Sequence, residues 1–123
     1  MVVSAPATPE THHIIDRAAF NAMKPATVLV NVARGALVDE AAIPDAMASG
    51  QLAAAALDVF EVEPLPAESP LWDMPGVFIS AHSSVSVDRY LDDVFDLFED
   101  NLHRYVRGES LRNLVDMEAL GFK

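Results

Sequence analysis

The chain has 123 residues, 51% of them hydrophobic, which by length and composition predicts one domain around a modest core. Its formal charge of −11 excludes counterion-driven binding to nucleic acid or to an anionic membrane surface, so any anion it binds must meet a local cation. There is no cysteine for a disulfide framework, and residues 1–11 have neither the basic start nor the apolar stretch of a signal peptide, so a soluble cytoplasmic protein is expected.

Residues 1–4 predict a very short strand, stopped by the breaker cluster of residues 5–11, so the sequence reads as opening in the middle of an element. Asp16 is the expected N-cap of a helix to about Met23, with Ala19, Phe20 and Met23 inward, and Lys24-Pro25 stops it. The run Val28-Leu29-Val30-Asn31-Val32-Ala33-Arg34-Gly35 organises the rest of the chain. An apolar stretch between turn formers reads as a strand buried on both faces. Asn31 is out of place in it, and Arg34 at its end must be paired or face a cleft. Asp39 is the expected N-cap of a helix over 40–48, closed by Ser49-Gly50, with Pro44 displacing or kinking its first turn.

Residues 52–59 form a second apolar run, whose alanines weaken the strand reading. A loop rich in Pro and Glu covers 60–75, anchored by Leu71-Trp72. Residues 77–80 predict a fourth strand running into Ala81-His82. From about Ser84 or Ser86 a long helix is expected to Arg107, with Leu91, Val94, Phe95, Phe98, Leu102, Tyr105 and Val106 on one face and Gly108 as its stop. Leu114-Val115 could return as a short extended segment.

Strands alternating with helices imply a parallel sheet in an α/β layered domain, whose ligands bind at the carboxyl ends of the strands. That edge would gather residues 4–6, Arg34, Asp58 and His82, with Glu63 in reach of His82. A carboxylate beside an imidazole favours the imidazolium, the state a general acid needs. A guanidinium can take a carboxylate with two parallel hydrogen bonds. Together these are parts for reducing a 2-keto acid: Arg34 fixes the carboxylate and polarises the carbonyl, and His82 protonates the carbonyl oxygen as a hydride arrives. Taken singly, each has a bland reading: Arg34 as an ion-pair residue, His82 as a loop histidine, Glu63 as one acid among many, Asp58 as a turn cap. Convergence on one edge favours the chemical reading. His12 and His13, adjacent, point apart in any regular structure and read as a solvated turn. Asp92, Asp93, Asp96, Glu99 and Asp100 read as a solvated helix face, so no metal site is expected. Ser83 and Ser84 lack the Gly-x-Ser-x-Gly elbow of a nucleophile, and no Gly-x-Gly-x-x-Gly occurs.

The motifs Thr8-Pro9-Glu10-Thr11, Met23-Lys24-Pro25, Val30-Asn31-Val32-Ala33-Arg34-Gly35, Val38-Asp39-Glu40-Ala41-Ala42, Ala56-Leu57-Asp58-Val59-Phe60, Glu63-Pro64 and Asn101-Leu102 cover nearly the whole chain. In their order and spacing they resemble the D-isomer-specific 2-hydroxyacid dehydrogenases, with the glyoxylate and hydroxypyruvate reductases as the branch suggested. The resemblance implies an α/β fold, the carboxyl-terminal part of a Rossmann-type doubly wound parallel sheet plus a long C-terminal helix. Residues 1–83 would be the later half of the NAD(P)-binding domain, and 84–123 a crossover helix and tail returning to a substrate domain. It further implies that Arg34, Glu63 and His82 match the catalytic arginine, glutamate and histidine. Asp58 would contact the nicotinamide carboxamide and Ala33 would offer its backbone carbonyl to the same ring. Ser4, Ala5, Pro6 and Thr8 would lie along the ribose and adenosine, and Arg34, His82 and Ser84 complete the implied cofactor contacts. The implied cofactor is NAD or NADP, the substrate a small 2-keto or 2-hydroxy acid, and the intact enzyme a homodimer.

Two departures stand out. Ala81-His82-Ser83-Ser84 replaces the family's usual Pro-His start, keeping the histidine, and the larger departure is length; Glu63, where the related formate dehydrogenases use glutamine, disfavours that branch. Members of the family are more than twice as long, so the chain is expected to be a fragment that binds cofactor poorly and turns over slowly or not at all. A dehydrogenase-like binding module with an idle site is the alternative.

Overall fold

The computed structural model describes residues 1–83 and 88–117. They fall into two compact units, Met1–Ser84 and Val85–Lys123.

The first unit is a four-stranded, wholly parallel sheet: β1 (Val2–Val3), β2 (Thr27–Asn31), β3 (Leu52–Leu57) and β4 (Val77–Ile79), lying side by side in chain order. Helix α1 (Arg17–Ala22) joins β1 to β2. Two single 3-10 turns, Gly35–Leu37 and Glu40–Ala42, lead into helix α2 (Ile43–Ala48) before β3, and a third, Pro70–Trp72, precedes β4. Asp16 caps α1 as expected, its Oδ1 accepting from the Ala19 N–H at 2.8 Å. At the other end of α1 the Gln51 amide Nε2 donates to the carbonyls of Phe20, Asn21 and Met23, meeting acceptors that a helix terminus leaves open.

Asp39 occupies the position before the Glu40–Ala42 turn, as the sequence suggests, but its side chain makes no capping bond; its N–H donates to the Ile15 carbonyl. Pro44 explains the local shape. The expected helix over 40–48 is divided into a 3-10 turn and α2, which places Pro44 in the first turn of α2, where its missing N–H costs no helical hydrogen bond.

Core packing is one-sided. Leu29, Ala55 and Leu57 turn to the side packed by Phe20, Leu37, Ile43, Ala46 and Leu71, all buried. Burying a side chain such as Leu29 stabilises by about 1.5–3 kcal/mol. On the opposite side Val2, Val28, Val32 and Phe78 are exposed. The expectation that β2 is buried on both faces is therefore corrected: the run has no polar alternation, yet burial alternates along it because helices cover only one face of this unit. The alanines of β3 do not prevent a strand. β3 lies between two hydrogen-bonded neighbours, and small side chains let α2 and Gly76 approach it, a Cβ on Gly76 falling 3.1 Å from both the Ala53 carbonyl and the Met47 methyl.

Strand ends are shorter than the apolar runs. β2 stops at Asn31 and β3 at Leu57, so Arg34 and Asp58 lie in the loops beyond. Of the Leu71-Trp72 anchor only Leu71 is buried; Trp72 is half exposed, its indole N–H donating to the Pro66 carbonyl at 2.9 Å.

In the second unit α3 spans Tyr90–Arg107 and ends on Gly108 in the left-handed conformation. Its expected start at Ser84 or Ser86 falls outside the described residues, and residues 88–89 form a turn that precedes the helix rather than belonging to it. Leu91, Val94, Phe95, Phe98, Leu102, Tyr105 and Val106 are all exposed. Asn101 and Arg112 tie the tail to the helix, the Arg112 N–H donating to Asn101 Oδ1 at 2.7 Å and Asn101 Nδ2 to the Arg112 carbonyl at 3.2 Å. Leu114 and Val115 are exposed and form no strand, because among the described residues no other strand lies within this unit to pair with them.

Candidate active site

The carboxyl edge of the sheet begins with Asn31, the last residue of β2. Its buried amide closes the turn just beyond the strand, Oδ1 accepting from the Ala33 N–H at 3.1 Å and Nδ2 donating to the Arg34 carbonyl at 3.0 Å. This is why a polar residue stands in an apolar run: with both ends of the side chain satisfied its burial costs little, and the backbone of Ala33 and Arg34 is fixed. The Arg34 guanidinium is exposed and donates to its neighbour's carbonyl, Ala33 O, at 2.6 Å; among the described residues it makes no ion pair with a carboxylate. It lines a hollow of about 580 Å³ together with Ser4, Ala5, Pro6, Ala7, Val32 and Ala33. Thr8 is not among those lining residues; it belongs to the turn behind them, where its N–H donates to Thr11 Oγ1 at 2.8 Å.

Asp58, just after β3, is buried. Its N–H donates to the Asn31 carbonyl at 3.0 Å, and its Oδ1 accepts from the Ser80 hydroxyl at 2.5 Å and from the Ser83 N–H at 3.1 Å. The aspartate thus binds the segment that carries His82 to the end of β3. It also borders a smaller hollow of about 140 Å³ shared with Val32 and Ser80.

The loop after β3 folds back to bring Glu63 to His82. His82 Nδ1 lies 2.8 Å from Glu63 Oε2, and Glu63 Oε1 accepts from the Phe60 N–H at 3.0 Å. A carboxylate can only accept here, so Nδ1 carries the proton. These bonds, to His82 first and to Phe60 second, hold the Glu63 carboxyl below the ordinary glutamate range, and the nearby Arg34 charge adds to the effect. His82 has φ of +51°, a left-handed conformation that few non-glycine residues adopt. The pair stands at the mouth of a hollow of about 630 Å³ walled by Phe60, Leu65, Trp72 and Ile79.

Of the residues expected at the site, then, Glu63 and His82 are in direct contact, Arg34, Ala33 and residues 4–6 share one hollow, and Asp58 braces the loop between. Ser84 lies outside the described residues. Sequence reasoning missed the roles of Ser80, of the Phe60 amide and of the apolar wall, none of which has a spacing signal. The Asn31 turn was within reach, because an asparagine at the end of an apolar run and just before a glycine-bearing turn is a candidate to close it with its own side chain. His12 and His13 lie in a turn, as read from the sequence, and there, outside regular structure, their rings stack with centroids 4.0 Å apart. Among the described residues no group of His, Cys, Asp or Glu could hold a metal, and no helix is long and apolar enough to cross a membrane.

A parallel sheet with polar side chains and hollows gathered at its carboxyl edge defines the class of open α/β domains that take ligands at their strand ends. The model of the family described as D-isomer specific 2-hydroxyacid dehydrogenase, NAD binding domain, matches residues 1–84, and the chain belongs to that family. Glyoxylate/hydroxypyruvate reductase B of Pectobacterium atrosepticum is 39% identical over 120 residues, which are 98% of this chain and 38% of the relative. A D-3-phosphoglycerate dehydrogenase of Methanocaldococcus jannaschii is 37% identical over 95% of this chain and 22% of its own length. Among solved structures, an NADPH-dependent glyoxylate/hydroxypyruvate reductase of Sinorhizobium meliloti in complex with NADP and sulfate superposes with a TM-score of 0.83 at 36% identity, covering 96% of this chain and 38% of that one. A family member from Xanthobacter autotrophicus in complex with NADPH and MES gives 0.82 at 40% identity, covering 96% and 48%. The chain therefore spans about two fifths of the length of the reductases it resembles.

Proposed function

We propose that this chain carries the catalytic edge of an NAD(P)-dependent reductase of small 2-keto acids such as glyoxylate or hydroxypyruvate. The contact that carries the reading is the 2.8 Å pair of His82 and Glu63 at the mouth of the hollow, with Arg34 near enough to act on Glu63 electrostatically. Residues 4–6 fit the ribose and adenosine side of a dinucleotide and Ala33 its nicotinamide end, since with Ala7 and Arg34 they line one hollow and present small side chains along the strand ends. When bound, the cofactor supplies the hydride. Ala33 has a second lone pair on the carbonyl that Arg34 already occupies, and with Asp58 it would hold the carboxamide.

Substrate binding draws the Arg34 guanidinium from Ala33 O onto the incoming carboxylate, exchanging a neutral acceptor for a charged one in bidentate geometry. Because Nδ1 is given to Glu63, the proton for the carbonyl oxygen is delivered from Nε2 of His82. Glu63 compensates the charge of the imidazolium before transfer and fixes the ring afterwards. The test is NAD(P)H oxidation with glyoxylate and hydroxypyruvate by the gene product carrying this sequence, beside its Arg34→Ala and His82→Ala variants. A loss of about 100-fold or more in kcat/KM with the fold intact is expected for each; rates equal to the parent's overturn the assignment.

A further inference from the structure

The turn that delivers Glu63 is itself exposed, with Glu61, Val62 and Glu63 all open to solvent and only Phe60 buried. Phe60 and the close approach of Gly35 pack the start of this turn, but residues 61–63 have no buried side chain, so their geometry leans on hydrogen bonds. Two acids supply them. The Glu61 N–H donates to Glu40 Oε1, and the Glu40 N–H donates to Glu61 Oε1 at 3.1 Å, a reciprocal exchange between residues 21 apart in sequence. The same Glu61 oxygen lies 3.1 Å from His13 Nε2. Each partner rests on fixed backbone. Glu40 begins the turn whose Ala42 is fully buried, and His13 donates its own N–H to the Ala36 carbonyl at 2.8 Å.

Phe60 and Glu61 have successive amides, one donating to Glu63 and the next to Glu40. Fixing the second orients the first. We propose that Glu40, Glu61 and His13 are positioning residues, a clasp that sets the turn of residues 60–63 so that Glu63 meets His82; the inference rests on the reductase reading of that pair but not on its activity. Burial pushes the Glu40 carboxyl up, the bond from the Glu61 N–H pulls it back, and the charges of Glu61 and Glu63 raise it against the nearby His13, so the reciprocal backbone bonds hold the two acids together despite their repulsion.

The test reads the titration of the Glu63 carboxyl by carbon-13 NMR in the chain as it stands, in Glu61→Ala and Glu40→Ala and in the conservative Glu61→Gln and Glu40→Gln. The sign separates the explanations. Deleting a neighbouring negative charge can only lower the pKa of Glu63 further. Releasing the turn removes the Phe60 and His82 bonds and raises it. The expected result is a rise to the ordinary glutamate range in both alanine variants and a depressed value in both glutamine variants, which keep the accepting oxygen. In an active gene product kcat falls in the alanine variants while the KM for keto acid holds. Should one alanine variant fail to fold, as judged by the amide resonances of Leu29 and Ala55, the other decides. Glu63 left depressed in a folded alanine variant overturns the clasp, whatever the activity. A rise in Glu63 in a protein without reductase activity would instead uphold the clasp and remove the proposed function.

Discussion

Gly35→Ala isolates the contact that links the two loops of the site. A Cβ built on Gly35 falls 1.9 Å from the Phe60 carbonyl carbon, 2.0 Å from its oxygen and 2.2 Å from the Glu61 nitrogen. All three are backbone atoms, so no side chain can swing aside. Restoring an ordinary separation of 3.4 Å requires the peptide between Phe60 and Glu61 to withdraw by 3.4 − 1.9 = 1.5 Å, enough to break the 3.0 Å bond from the Phe60 N–H to Glu63. Overpacking costs about 1–3 kcal/mol, and rigid backbone on the far side puts this variant at the upper end. At roughly 4–8 °C per kcal/mol for a domain of this size, the melting temperature should fall by roughly 12–24 °C. Thermal unfolding followed by circular dichroism measures it, with Gly50→Ala as the control. Nothing lies within 4 Å of a Cβ on Gly50, so that variant bears only its φ of +79°, about 1–2 kcal/mol. A Gly35→Ala protein melting within about 2 °C of the parent would show that the close approach of the two loops does not exist.

Asn31→Ala leaves the Ala33 N–H and the Arg34 carbonyl without their buried partner and should destabilise by about 1–3 kcal/mol, read in urea as a lower midpoint at unchanged slope; an unchanged midpoint contradicts the turn-closing role. Ala26, exposed with φ of +60°, should accept glycine with a gain of up to about 1 kcal/mol, and a loss on Ala26→Gly would contradict the left-handed turn after Pro25. The depressed Glu63 carboxyl stabilises the fold in full above the ordinary glutamate range, and that contribution is lost as pH falls through its own lower pKa. The advantage of the parent over Glu63→Gln should therefore shrink on acidification; growth in acid would refute the pairing. Glu40 has the opposite sign. Its raised carboxyl favours the folded state at low pH and loses that advantage as pH climbs through its pKa, so Glu40→Gln should gain on the parent toward neutrality, and a variant that loses ground there would place Glu40 in a different environment.

Periodicity and punctuation were enough to place the strands, the Asp16 cap and the Gly108 stop, because each depends on residues within one turn of itself. The one-sided burial of β2 was not legible. A run of valines and a leucine has the same pattern whether one face or two are covered, and which of these holds is decided by helices elsewhere in the chain. The catalytic pair was legible only as proximity to a common edge. That Glu63 meets His82 depends on a loop whose path is set by Gly35 below and by Glu40 beside it, residues 28 and 23 positions earlier. Asn31 lay between these cases: its type was odd enough to notice, and its reason was local and could have been stated.

The four strands stand in the sheet in the order in which they occur in the sequence. During synthesis each of β2, β3 and β4 finds the preceding strand, its neighbour, already made. Among these four, growth can therefore proceed by successive addition, β2 on β1, then β3, then β4, each with its own connection packing behind it. The carboxyl edge is assembled in the same sequence, Asn31 and Arg34 before Asp58, and Asp58 before the serines that bond to it. His82 follows Arg34, Asp58 and Glu63, and the Ser83 N–H that comes directly after it completes the tie to Asp58.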